Sequence, residues 1–164
     1  MSKKKLVLVS EFLGHDHNST SYYWTKILES LIDSYEVIVV APSSKENLHY
    51  LSGVDVKYFT YMHYSYDKSN MLSRLIAYIK MCLSMNKILA EVLDKVDVVI
   101  SGTNPVFNLY FIAKLKKKFN FSWLLFGYDI FPENLVPANV ISKKNPFYLI
   151  AHFFFQDYIR PQVD

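Results

Sequence analysis

The sequence predicts an α/β domain built on a doubly wound, mainly parallel sheet, and three observations carry that prediction. Short apolar runs rich in β-branched residues recur at Leu6–Val9, Glu36–Val40 and Asp97–Ile100, as strands buried on both faces require. Segments with apolar residues at helical spacing separate most of the strands. Three of the four glycines, Gly14, Gly102 and Gly127, lie just after a predicted strand, where a backbone turns tightly or approaches a ligand closely.

The elements follow in order. Leu6–Ser10 is the first strand. Ser19 and Thr20 offer an N-cap to a helix over Tyr22–Ser34 with Trp24, Ile27, Leu28 and Leu31 on one face. Glu36–Val40 is the second strand, stopped by Pro42, which cannot join a central ladder. Lys45–Leu51 reads as a short helix or a loop, and Val56–Thr60 as the third strand. Tyr61–Asn70 reads as an exposed aromatic loop. Ser69 or Asn70 caps the longest helix, reaching about Lys95, with Leu72, Leu75, Ile76, Ile79, Leu83, Ile88, Leu89 and Val92 at helical spacing. Arg74, Lys80 and Lys87 mark its polar side.

Asp97–Ile100 is the fourth strand. Residues 105–119 form a helix with Pro105 in its first turn. Lys114, Lys116, Lys117 and Lys118 near its end suit the helix dipole or an anionic partner surface. Ser122–Phe126 is the fifth strand. Pro146–Arg160 reads as a helix with Phe147, Ile150, Ala151, Phe154 and Tyr158 on one face. The order β-α-β-β-α-β-α-β-α implies a Rossmann-like sheet. A G-x-G-x-x-G fingerprint and a Walker A sequence are both absent.

At 164 residues the chain is long enough to bury a core. With 13 Tyr and 12 Phe, some rings are expected at a groove or surface. A net charge of +3 gives no case for general nucleic-acid binding. Cys82 is the single cysteine, which excludes a disulfide framework and reads as a small buried hydrophobe. No stretch has the length of a transmembrane helix, and the N-terminus lacks the long apolar core of a signal peptide. The expected location is the cytoplasm, peripheral to the inner face of the cell membrane.

The stretch Val96–Asn134 holds the pattern that points to chemistry. It runs from Asp97-Val98-Val99-Ile100 to Pro105, through a helix ending in basic residues, to Asp129, Pro132 and Glu133. This "D-V-V-I-x-x-x-x-P" strand end followed by "D-x-x-P-E" resembles the N-terminal, acceptor-side half of GT-B glycosyltransferases, specifically family 4 enzymes of bacterial surface-polysaccharide synthesis. The resemblance covers most of the chain. Where such enzymes often carry a glycine pair in the first loop, this sequence has Asn18-Ser19.

The resemblance implies one half of a GT-B fold. Residues 1–145 would form the Rossmann-like glycosyltransferase domain, and 146–164 a helix leading towards a second domain that binds most of the nucleotide sugar. It implies transfer of a sugar from a nucleotide-sugar donor to a saccharide acceptor, expected to be lipid-linked, with no cofactor and no metal. Asp129 is then the candidate catalytic group, an acceptor-side acid/base or orienting carboxylate; read locally, it caps the turn before Pro132. Candidates for acceptor or donor-phosphate binding are Gly14, His15, His17, Asn18, Ser19 and Thr20 after the first strand. Ser101, Gly102, Thr103 and Asn104 follow after the fourth, and Gly127, Tyr128 and Glu133 after the fifth. His15 and His17 lack further metal ligands at a recognisable spacing, and Asn18, Ser19 and Thr20 precede a helix N-terminus, which favours anions. The competing expectation is a non-catalytic partner or membrane-docking subunit of a split glycosyltransferase. In that case Tyr58–Tyr66, helix 71–94 and Phe147–Phe155 would be the interaction surface. A flavodoxin-like protein is disfavoured because its phosphate loop would be Ser/Thr-rich throughout.

Overall fold

Five parallel strands form one sheet in the order β3-β2-β1-β4-β5. The structure is a computed structural model, and it describes residues 3–15, 18–64, 70–104, 106–127, 132–137, 139 and 141–164, with Met71 and Arg74 described in backbone only. The strands are β1 (Lys5–Val9), β2 (Glu36–Pro42), β3 (Lys57–Tyr61), β4 (Val98–Gly102) and β5 (Ser122–Phe126). β1 is central, pairing Val7 with Ile38 on one side and with Val99 on the other. Alternate residues of β1 feed two cores, as the period of a strand dictates. Leu6 and Leu8 join Trp24, Leu28 and Leu51, while Val7 and Val9 join Met81, Met85, Leu109 and Trp123. Helices α1 (Ser19–Leu31) and α2 (Lys45–Leu51) supply the first core; α3 (Met71–Val92) and α4 (Phe107–Phe119) supply the second.

Helix α1 starts at Ser19, three residues before its expected start. Asn18, not Ser19 or Thr20, is the N-cap: its Oδ1 accepts from the Ser21 N–H at 2.8 Å, and Ser21 Oγ accepts from the Asn18 N–H at 2.9 Å. This reciprocal box satisfies two donors that a helix start leaves open. Pro42 is the last residue of β2 and lies in register with Tyr61, so its missing N–H falls where the ladder ends. Tyr61, expected in an exposed loop, closes β3 and is buried. The basic end of α4 terminates at Asn120 in the left-handed region, φ 54°, a conformation that asparagine tolerates.

The longest helix departs from expectation in which face it buries. Ala77, Met81, Cys82, Met85 and Leu89 pack on the sheet, whereas Leu72, Leu75, Ile76, Ile79 and Leu83 point outward. The helix is apolar on two faces, and the slimmer, more adaptable side chains take the close approach to the sheet.

The C-terminal segment also turns differently from a plain α-helix. Helix α5 (Pro146–Phe153) starts under an Asn145 cap, whose side chain accepts from the Phe147 N–H at 2.8 Å. It runs into a π-helical stretch, Phe154–Ile159, and a short 3-10 turn, Arg160–Gln162. Each π turn holds an extra residue, so the expected face breaks up. Phe147 and Ile150 are exposed; Tyr148 and Ile159 are buried, and Phe154, Phe155 and Tyr158 pack against the core. Residues 146–164 therefore pack on the same core as the rest of the sheet. Asp164 closes this arrangement, its N–H donating to the Trp123 carbonyl at 2.9 Å and its carboxylate accepting from the Trp123 N–H at 2.7 Å. The Lys116 ammonium beside the Asp164 carboxyl, together with that N–H, holds its pKa below the ordinary value.

Phe153 and Phe155 stand outside the face expected from the spacing; Phe153 is exposed, and Phe155 packs against the core. Phe147, Leu149, Ile150 and Phe153 together leave α5 with an apolar outer surface. The isolated chain should self-associate, and Ile150→Ser with Phe153→Ser should raise its solubility without changing its circular dichroism. A double variant that loses helix and sheet signal would place those side chains in the core instead.

Candidate functional site

The direction of strand order reverses between β1 and β4, and in open parallel sheets ligands bind outside the carboxyl ends at such a point. Val9 pairs with Ser101, so residues 10–14 and 102–104 leave the sheet side by side. The loop after β1 is held from two directions. Asn47 of α2, fully buried, accepts from the Leu13 N–H at 2.8 Å and donates to the Glu11 and Pro42 carbonyls, each at 3.1 Å. Thr25 of α1 accepts from the Gly14 N–H at 2.9 Å. Gly14 itself has φ +102°, a conformation in which a side chain would be strained.

This scaffold presents Glu11 at the carboxyl edge. Burial pushes the Glu11 carboxyl from the ordinary 4.5 up to about 7. Among the described residues no hydrogen bond or ion pair engages that carboxyl. Its charge adds to burial in raising Tyr61, and in raising Cys82 to about 12. Among the described residues the Tyr61 hydroxyl, the Thr103 hydroxyl after β4 and the Asn108 amide oxygen in α4 are also buried without a hydrogen-bond partner. Buried polar atoms normally find partners, so these three are exceptions among the described residues. A carboxyl titrating near neutrality can accept a proton from a ligand hydroxyl. Glu11 is not among the site residues expected from the sequence. The available signal was a lone acid directly after a buried strand.

Several expected site residues are engaged structurally. His15 meets Glu29 of α1 at 2.8 Å and sits edge-on to Tyr22 and Tyr50. Ser101 is buried, its Oγ accepting from the Trp123 indole N–H at 2.9 Å. Gly102 is the end of β4, and a Cβ there would lie 3.1 Å from Trp24, so the indole of α1 accounts for this glycine. Gly127 has open space about it. Asn18, Ser19 and Thr20 hold the N-terminus of α1. Thr103 is buried at the switch point beside exposed Asn104. Glu133, in a 3-10 turn (Glu133–Leu135), is joined to the C-terminal helix: its Oε1 lies 2.9 Å from His152 Nδ1 and accepts from Gln156 at 3.4 Å. His17, Tyr128 and Asp129 lie outside the described residues. Among the described residues no group of three His, Cys, Asp or Glu side chains could hold a metal ion.

No protein-family model matches the chain. It is 32% identical over 152 residues to the probable glycosyltransferase WbjE of Pseudomonas aeruginosa, an alignment that takes in 92% of this chain and 38% of that protein. The chain is thus similar to part of that larger, probable glycosyltransferase. A crystal structure of the glycotransferase of kitacinnamycin superposes with a TM-score of 0.61 over 99% of this chain and 41% of that one, at 10% identity. At that identity the likeness is one of fold. The chain thus spans well under half the length of both proteins, and it has the Rossmann-like α/β architecture that the strand pattern predicts.

Proposed function

We propose that this domain is the acceptor-binding half of a glycosyltransferase that moves a sugar from a nucleotide sugar to a lipid-linked saccharide in cell-surface polysaccharide synthesis. The observation that supports it best is the partly buried carboxyl of Glu11, without a partner among the described residues, at the point where the strand order reverses. In this reading Glu11 orients the acceptor hydroxyl and takes its proton. The acceptor oxygen closes on the anomeric carbon as the bond to the nucleoside diphosphate breaks. Asn18, Ser19 and Thr20 sit at a helix N-terminus, where a phosphate is favoured. Most of the donor contacts belong to the remainder of the enzyme, so both walls of the cleft are needed to stabilise the transition state.

The test combines binding and turnover. The chain alone should bind lipid-linked saccharides, measured by calorimetry, and Glu11→Gln should weaken that binding. It should not transfer sugar from any of a panel of nucleotide sugars. Turnover of roughly 1 per second, typical of a complete enzyme, would overturn the half-enzyme reading. Tight binding of nucleotide sugars without binding of saccharides would reverse the acceptor and donor assignment.

A further inference from the structure

The C-terminal segment carries a side-chain cluster that packing alone does not call for. Glu133 Oε1 lies 2.9 Å from Nδ1 of His152 in α5. Gln156 donates to the same oxygen at 3.4 Å, and Gln156 Oε1 in turn accepts from Arg160 at 3.0 Å. Glu133 Oε2 is buried and has no hydrogen-bond partner among the described residues. The His152 ring stacks on buried Tyr148, with 5.6 Å between centroids and 16° between planes. The position of the imidazole and its plane are therefore both fixed.

The fold sets where this cluster stands. Helix α4 runs from the carboxyl edge, where β4 ends, back to the amino edge, where β5 begins. The C-terminal segment follows it in the same direction. Phe154 lies beside Tyr110 near the start of α4, Tyr158 lies between Tyr110 and Lys117, and Asp164 meets Lys116 and Trp123. His152 comes just before Phe154, so it stands at the carboxyl edge. Glu133 reaches it from the chain that leaves β5 at Phe126. Glu11 leaves the same edge from β1, two strands away in the sheet order, which is about 10 Å.

A carboxylate can only accept, so Nδ1 carries the hydrogen of the Glu133–His152 pair. The lone pair of a neutral imidazole then stands on Nε2. No hydrogen bond among the described residues engages Nε2, and the side chain is 44% exposed. A phosphate would meet little positive charge here, because Glu133 offsets a charged imidazole and the Arg160 guanidinium is turned to Gln156. What the cluster presents outward is one oriented acceptor, which suits a neutral hydroxyl. We propose that His152, held by Glu133, is a second contact of this domain with the acceptor: its Nε2 accepts a hydrogen bond from a saccharide hydroxyl, at one end of a site whose other end is Glu11. Glu133 acts through the imidazole, as a positioning residue. The assignment rests on the acceptor-binding reading and adds to it a residue and a direction, along the edge from β1 towards β5.

Nitrogen NMR of the imidazoles, with the His152 signals assigned by through-bond correlation, tests it. The probes are methyl glycosides and disaccharides of glucose, galactose and N-acetylglucosamine, together with lipid-linked saccharides. A probe that binds the parent by calorimetry should shift the His152 Nε2 resonance. It should bind His152→Phe, which keeps a ring on Tyr148, roughly three- to tenfold more weakly, the contribution of one hydrogen bond. Glu133→Gln should weaken binding as well. In the unliganded protein it should also move Nε2 towards the protonated form, which loss of a merely structural carboxylate would not do. The parent spectra need no variant, so the test holds if either substitution unfolds the chain. A probe that binds while the Nε2 resonance stays in place and His152→Phe keeps full affinity overturns the proposal and leaves the acceptor-binding reading standing. Failure of the parent to bind any of the saccharides overturns both. A shift with inorganic phosphate and none with the saccharides overturns the proposal too, by making the pair an anion contact.

Discussion

Replacing Glu11 by glutamine is expected to stabilise the domain at pH 8 and to leave it nearly unchanged at pH 4. The carboxyl titrates near 4.5 when the chain is unfolded and at about 7 when folded. Between those values the folded state binds the extra proton, so stability falls as pH rises through this window and levels off above about 7. At 1.36 kcal/mol per pH unit, the interval corresponds to roughly 3 kcal/mol at most. Gln keeps the shape and removes the charge, so it should recover about 2–3 kcal/mol at pH 8. Urea unfolding at several pH values measures this. A parent protein equally stable at pH 5 and pH 8 would mean that Glu11 is solvated or paired. Stabilisation by Gln, together with weakened saccharide binding, is what a carboxyl retained for chemistry rather than for folding should show.

Trp123→Ala is expected to cost about 3–5 kcal/mol, the range for emptying a fully buried aromatic site. Trp123 of β5 has no exposure and belongs to the core that holds Met85, Leu109 and Ile159. Its loss also leaves the Ser101 hydroxyl without its donor. The complementary change is informative about the site. Ser101→Ala strands the indole N–H and should cost about 1–3 kcal/mol, with no effect on saccharide binding. Chemical denaturation of both variants, with calorimetry on the second, separates the two roles. A Ser101→Ala variant of parental stability that no longer binds saccharide would return Ser101 to the ligand.

The strands were legible because Leu6–Val9 and Val37–Val40 are continuous apolar runs, which admit few alternatives once proline and glycine bound them. The face of α3 was not legible. Spacing identifies apolar stripes, but this helix has two of them, and only packing against β2 and β3 decides which is buried. The polar loops were readable as strand ends, whereas their partners come from distant parts of the chain. His15 is engaged by Glu29, Ser101 by Trp123, and Glu133 by His152. Glu11 was missed for a related reason. A carboxyl's environment depends on what surrounds it in space, and nothing in the residues beside it announces its burial.

The π-helical stretch Phe154–Ile159 fixes how much the length of this segment can vary. Asn145 anchors its start, and the pairing of Asp164 with Trp123 anchors its finish. Between two fixed points the chain carries one residue more than an α-helix needs, and the wide turn stores it. Removing a residue there would restore α-helical pitch but rotate Ile159 by about 100°, taking it out of the core it now fills. Adding one would need a second wide turn. The spacing between these anchors is therefore a ruler, and relatives that share both anchors should tolerate substitutions within it far better than changes of length.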